Sequence, residues 1–237
     1  MKELLLKIIS GGQTGADTGG LIAAQKAGIR TGGCAPKGFI TEDGSNPELG
    51  SVYGLYESNS DQYPTAGNII VDGNAGLYAG AEMKKGYLEI NGNTGDFLGG
   101  ALPGNKMGMK GGLILVKGNA GDRVGDHLRR GMILIEGNTG DYCGSRMIAG
   151  TIAVMGTTGR HVGYAMRRGT LLLWNTPYIS ASFNDCGTHT LAFLPIMFKA
   201  FATLNSRFAE PATAFNRVQR YAGDMAEMGR GEILVKH

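Results

Sequence analysis

Between Gly67 and Trp174, short apolar runs alternate with glycine-bearing polar turns at near-constant spacing. The runs are Ile69-Ile70-Val71, Leu88-Glu89-Ile90, Leu113-Ile114-Leu115-Val116, Met132 to Ile135 and Thr151 to Val154, each of strand length and set off by glycines. The first inner glycine after each run falls at 73, 92, 118, 137 and 156, so the steps are 19, 26, 19 and 19. A seven-residue insertion within GGALPGNKMGMKGG breaks the period once and predicts a loop between the second and third units. A repeat of this size cannot bury its own apolar face and must stack on its copies. The expected fold is therefore mainly β, a right-handed parallel β-helix of about 19-residue glycine-rich coils rising about 4.8 Å per coil.

Aligned on that period, the chain resolves into columns. Glycines recur at 76, 95, 121, 140 and 159, and again at 80, 99, 125, 144 and 163, consistent with corners that need no Cβ. Asn74, Asn93, Asn119 and Asn138 suit a stacked amide ladder. Met83, Met109, Leu128, Met147 and Met166 read as core filling rather than metal ligation. The next column is Lys84, Lys110, Arg129, Ile148 and Arg167, flanked by Lys85, Arg130 and Arg168. Like charges one coil apart repel, so this column is either a solvated edge balanced by Glu82, Asp126 and Glu136, or a contact for an acidic partner or polyanionic cofactor tail.

The flanks follow other patterns. In residues 1–66 the apolar run Leu4 to Ile9 leads into Ser10-Gly11-Gly12-Gln13-Thr14-Gly15-Ala16-Asp17 and then a helical pattern over Leu21 to Ala27, a strand, glycine-rich turn and helix. Backbone N–H groups in such a turn can face a phosphate, although the spacing is neither a P-loop nor GxGxxG. In residues 175–237 a helical face of Leu194, Phe198, Phe201 and Leu204 is expected, with a second amphipathic stretch over Arg217 to Met228 and a last strand at Ile233-Leu234-Val235. These elements would cap the open end of the stack or dock a partner. The layout is thus an α/β segment over 1–66, the coils over 67–174 and a helical C-terminal cap over 175–237.

Composition adds little that the pattern lacks. Glycine supplies 41 of 237 residues without a Gly-X-Y period, which excludes collagen. A net charge of +3 makes no case for nucleic acid or an anionic membrane as partner. Three cysteines, Cys34, Cys143 and Cys186, form no CxxC pair, and a reducing cytoplasm is the expected compartment. Cys143 is expected to point into the coil, Cys186 and His189 alone do not make a zinc site, and His127 and His161 read as surface or corner residues.

Two sets of motifs carry resemblances. SGGQTGAD, GIRTGGCAPKGFITEDG and SDQYP resemble a small family of Rossmann-like proteins described as molybdenum carriers and related to nucleotide-binding proteins. That likeness implies a nucleotide or anion site at Gly11, Gly12, Gln13, Thr14, Gly15 and Asp17, although Cys34-Ala35 stands before Pro36-Lys37-Gly38 where the family has Trp-Cys, and the likeness ends near Pro64. The GNxGD coils, LPGNKMGMKGG and FNDCG resemble the C-type subunit of formylmethanofuran dehydrogenase and its counterpart in the formyltransferase/hydrolase complex of methylotrophic bacteria. A related GXGXG β-helix closes the large subunit of glutamate synthase. The resemblance implies a non-catalytic subunit in one-carbon metabolism that binds no cofactor alone. Amidohydrolase-like and formyltransferase subunits would be its partners, and a methanofuran or methylofuran-type cofactor would belong to the whole complex. The acidic tail of that cofactor would then be one candidate for the basic column, Lys84, Lys110, Arg129, Arg130, Arg167 and Arg168, with partner docking the other.

Overall fold

The computed structural model describes residues 67–237 continuously, together with 7–10, 25–26, 30–35, 40–41, 44–45 and 55–57. The chain is mainly β. Its strands are β1 (Lys7–Ser10), β2 (Arg30–Ala35), β3 (Ile40–Thr41), β4 (Gly44–Ser45), β5 (Leu55–Glu57), β6 (Asn68–Val71), β7 (Tyr87–Ile90), β8 (Lys110–Val116), β9 (Arg130–Ile135), β10 (Thr151–Val154), β11 (Arg168–Leu173), β12 (Asn184–Thr190), β13 (Arg217–Gly223) and β14 (Arg230–Lys236), with helix α1 (Phe193–Phe201) between β12 and β13. One mostly parallel sheet runs in the order β12-β13-β14-β11-β10-β9-β8-β7-β6-β1-β2-β5.

The register of that sheet is the sequence period. Asn68 pairs with Tyr87, Tyr87 with Leu113, Leu113 with Met132, Met132 with Thr151 and Thr151 with Thr170, all in parallel. Identical positions of successive repeats therefore lie one above another, as the glycine spacing predicts. The insertion emerges as an exposed loop over 102–107, and the stack resumes in register after it. A second line of contact runs through the turns, where Ala75, Thr94, Ala120 and Thr139 form parallel bridges.

Both faces of the central strands are buried, which explains their uninterrupted apolar runs. Inside the coils lie Ile114, Val116, Ile133, Ile135, Ile152 and Val154 with Cys143, Leu128 and the methionines Met109, Met147 and Met166. Outside, Leu115, Leu134, Ala153, Leu172 and Leu234 pack under α1 through Leu194, Phe198 and Phe201, joined by Phe208 and Trp174. Trp174 meets the rings of Phe198, Phe208 and Phe215 edge-on, at 5.9, 5.4 and 5.0 Å.

The Asn column holds the coils together, by a different bond from the expected side-chain ladder. The side-chain oxygen of Asn74 accepts from the backbone N–H of Asn93 (2.6 Å), Asn93 from Asn119 (2.7 Å), Asn119 from Asn138 (2.8 Å) and Asn138 from Thr157 (2.8 Å). A parallel rail uses Asp96, Asp122 and Asp141, whose carboxylates accept from the N–H of Asp122 (2.8 Å), Asp141 (2.8 Å) and Arg160 (2.7 Å). Bonding to main chain rather than to a neighbouring amide satisfies a corner donor that no carbonyl faces. The inner glycine is part of the same geometry: a Cβ at Gly137 would stand 2.5 Å from the Asn119 oxygen.

The C-terminal region departs from expectation. Arg217 to Met228 is not a second amphipathic helix: its first seven residues are β13, paired antiparallel with β14 and with β12. Strand β14, anticipated at Ile233-Leu234-Val235, adds the next rung, pairing Thr170 with Glu232. Rather than closing the end of the stack, α1 lies across the outer face of the sheet. Pro195 falls in its first turn, where no helical N–H is lost. The expected helix over Leu21 to Ala27 is described only at Gln25–Lys26.

Glu136 is buried beneath this region and accepts from the Arg207 N–H at 2.8 Å. Burial raises its carboxyl above the ordinary value, against the lowering pull of the Arg207 N–H and of the Arg207 and Lys117 charges. The folded state thus holds this proton more tightly than the unfolded chain, and ionisation costs stability as pH rises from the unfolded carboxylate value through the folded one. Glutamine keeps the acceptor and removes the charge. Glu136→Gln is predicted to melt above the wild type at pH 7, with the gap closing near pH ~4. Thermal unfolding at both pH values checks this, and a pH-independent gap contradicts it.

Candidate functional site

The backbone positions of the basic column lie in register. The Lys110 N–H donates to the Met83 carbonyl, Arg129 to Met109, Ile148 to Leu128 and Arg167 to Met147, one rung per coil. Lys84, Lys85, Arg129, Arg130, Arg167 and Arg168 are exposed and Lys110 is half-buried. Register brings further cations together, since Lys110 lies beside Arg130 and Arg168 beside Arg230 across neighbouring strands.

Counter-charges are fewer than expected. Glu82 approaches Lys110 at 3.8 Å and Glu227 approaches Arg167 at 3.6 Å. The Glu82 carboxyl is lowered, chiefly by the Asn105 side-chain amide of the inserted loop, with the Leu102 N–H and Lys110 adding to it. Asp126 and Glu136, both expected along this edge as counter-charges, are buried and bonded elsewhere. Among the described residues, no carboxylate lies within 4.0 Å of Lys84, Arg129, Arg130 or Arg168. Gly11, Gly12, Gln13, Thr14, Gly15 and Asp17 lie outside the described residues. Strand β1 ends at Ser10, immediately before that loop, and pairs in parallel with β2. His189, considered with Cys186, bonds the Cys186 carbonyl at 2.9 Å.

A polar cluster next to the column is not evident from the linear pattern. Asp126 is 2% exposed. One of its oxygens accepts from Ser145 Oγ (2.6 Å) and Arg146 Nε (2.9 Å), the other from Arg146 Nη2 (2.9 Å), with His127 Nδ1 2.8 Å away. A bidentate Arg–carboxylate pair fixes the guanidinium plane. His127 and Arg146 are left-handed corner residues, at φ 57° and 52°, in the column shared by Glu82 and Ala165. Non-glycine residues rarely adopt this backbone, and such strain clusters at functional positions. That column lies nine residues past the inner glycines, and nothing in its mixed chemistry marks Asp126 as its buried anchor.

A second left-handed column carries rings. Tyr78, Phe97, Arg123, Tyr142 and His161 lie at φ 60°, 60°, 58°, 61° and 58°. Tyr78 stacks on Phe97 at 4.8 Å, Arg123 lies 5.9 Å from the Phe97 ring and 4.5 Å from the Tyr142 ring, and Tyr142 stacks on His161 at 4.8 Å. Cation–π and stacking contacts thus continue from coil to coil along the outside.

With this geometry in place, comparison with known proteins adds two likenesses. Residues 8–86 match a family described as the circularly permutated YpsA SLOG family. That span includes the glycine loop and runs past residue 66 through β6 to Gly86. The X-ray crystal structure of the formyltransferase/hydrolase complex (FhcABCD) from Methylorubrum extorquens, in complex with methylofuran, contains a chain 33% identical to this one. The similarity covers 89% of this chain and 65% of that chain, with a TM-score of 0.64. This chain therefore spans a little under two thirds of that relative. No curated protein matches. In sequence and in fold the chain is similar to a component of that complex.

Asp126→Ala is predicted to cost about 3 kcal/mol, because Arg146 and Ser145 lose their shared acceptor. Asp126→Asn, which keeps an acceptor oxygen, is predicted to cost less. Urea unfolding checks both, and an Asp126→Ala variant as stable as the wild type contradicts the anchoring role.

Proposed function

We propose that this chain is a non-catalytic, C-type subunit of a formyltransferase/hydrolase or formylmethanofuran dehydrogenase-type complex in one-carbon metabolism. The observation that carries the reading is 33% identity over 89% of the chain to a component of such a complex, with the same fold. Its scaffold is a right-handed parallel β-helix of the GXGXG type, with coils over 67–174, an α/β segment over 1–66 and a C-terminal region over 175–237.

A structural role agrees with how the chain uses its polar groups. The Asn and Asp columns bond the backbone of the following coil, and Asp126 is fully engaged. Amidohydrolase-like and formyltransferase partners would supply the chemistry, in the cytoplasm. Lys84, Lys110, Arg129, Arg130, Arg167 and Arg168 form the docking edge, either for a partner or for the acidic tail of a methanofuran or methylofuran-type cofactor held by the complex. Arg129, Arg130 and Arg168, exposed and with no carboxylate within 4.0 Å among the described residues, suit both, since clustered unpaired cations repel one another until an anion arrives.

A second reading rests on the match over residues 8–86. In it, Gly11, Gly12, Gln13, Thr14, Gly15 and Asp17 bind a nucleotide or oxyanion and the coils serve as a platform. Saturable nucleotide binding that Gln13→Ala abolishes would favour it, and no binding removes it.

The test of the main reading is affinity isolation from the native host at low salt. Amidohydrolase-like and formyltransferase chains are predicted to accompany the wild type, and their recovery to fall about tenfold or more with Arg129→Glu plus Arg167→Glu. Isolation of the chain alone contradicts the assignment. Unchanged recovery and cofactor binding in the double variant would leave the basic edge merely solvated.

A further inference from the structure

Beside the basic column, a cleft of about 530 Å3 opens between the inserted loop, three successive corners and the turn after β13. Lys106 comes from the loop, His127, Arg146 and Tyr164 from the corners, Arg167 from the column and Glu227 from the turn. Ile148 and Ala165 add an apolar part to its wall. We infer that this cleft binds an organic anion carrying two or more carboxylate or phosphate groups on a partly apolar body.

Three cations and one carboxylate, Glu227, line it, and with the Asp126 carboxylate that contacts Arg146 counted the site carries a net +1, taking His127 as neutral. The Asp126 carboxylate behind it is buried and already occupied by Arg146, Ser145 and His127. Arg146 gives Nε and Nη2 to Asp126, which leaves Nη1 for a ligand. Its head is therefore held in position before any ligand arrives, which lowers the entropy lost on binding. Among the described residues Lys106 has no carboxylate within 4.0 Å, and the Arg167 contact to Glu227 is long at 3.6 Å. Tyr164 is 54% exposed and presents a ring to the cleft. A bare inorganic ion would leave that ring and Ile148 unused, whereas an organic body would cover them.

The site lies within one chain, so the inference does not depend on assembly into a complex. Failure to recover partner subunits would not affect it, and failure of anion binding would not affect co-isolation.

The test is isothermal titration of the full chain at low ionic strength with two probes that each carry two anionic groups on a benzene ring, isophthalate for carboxylates and resorcinol bisphosphate for phosphates. Saturable binding of at least one is expected, and which one binds identifies the preferred group. Lys106→Ala plus Arg167→Ala, both exposed and outside the core, should weaken it about tenfold or more with the melting temperature unchanged. Lys199→Ala plus Arg217→Ala removes the same charge elsewhere on the surface and should change it less than about twofold. The inference is overturned if neither probe binds saturably up to about 5 mM, a concentration far above that expected for a built polyanion site. Equal weakening by both double variants would also overturn it, since that would reflect net charge rather than a site.

Discussion

At two turn positions in successive coils an N–H points to a place where no backbone carbonyl stands, and an Asn or Asp oxygen from the coil before meets it. Much of the remaining architecture follows from that constraint. The accepting oxygen must reach across one coil spacing, so successive turns must be in register, and the residue it passes must be glycine. The period of 19 residues is the length at which strand, corner and acceptor all return to the same place, as the pairing of Leu113, Met132 and Thr151 shows. The same register forces every outward-facing residue into a column. A stack built this way therefore has rails of chemistry on its surface, one of Asn, one of Asp, one of rings and one of cations.

These rails differ in what they demand. The Asn and Asp rails are satisfied within the chain. The ring rail stacks on itself through Tyr78, Phe97, Arg123, Tyr142 and His161. The cation rail gains nothing from its own repetition, because like charges one rung apart repel. Among the described residues Glu82 and Glu227 answer only Lys110 and Arg167. An external anion is the physical complement of Lys84, Arg129, Arg130 and Arg168, which links the scaffold to the proposed assembly.

The fold was legible where one residue type at one spacing had one structural meaning. Glycine spacing located the strands, their parallel register and the inserted loop, and the Met column marked the interior, where Met109, Met147 and Met166 are fully buried. Legibility failed where a pattern had two meanings. Val218, Tyr221 and Met225 suit a helical face, yet pairing with β14 makes the start of that segment a strand. The Asn column reads as a stacked amide ladder, whereas in the structure each side-chain oxygen accepts from the backbone of the next coil. Asp126 and Glu136 read as counter-charges because sequence carries no direct record of burial, and both belong to the interior. The glycine-loop residues at 11–17 lie outside the described structure, so their reading rests on sequence and on the family match.

If side-chain oxygens acting on corner amides fix the stack, and so present the basic rail, amide hydrogen exchange on the isolated chain will register it. The amides of Asn93, Asn119, Asn138, Asp122 and Asp141 are on the exposed side of the molecule, yet slow exchange is predicted for them, close to that of the strand amides of β8 to β10. Exchange at the rate of open, unbonded turn amides would contradict the constraint from which the rest is built.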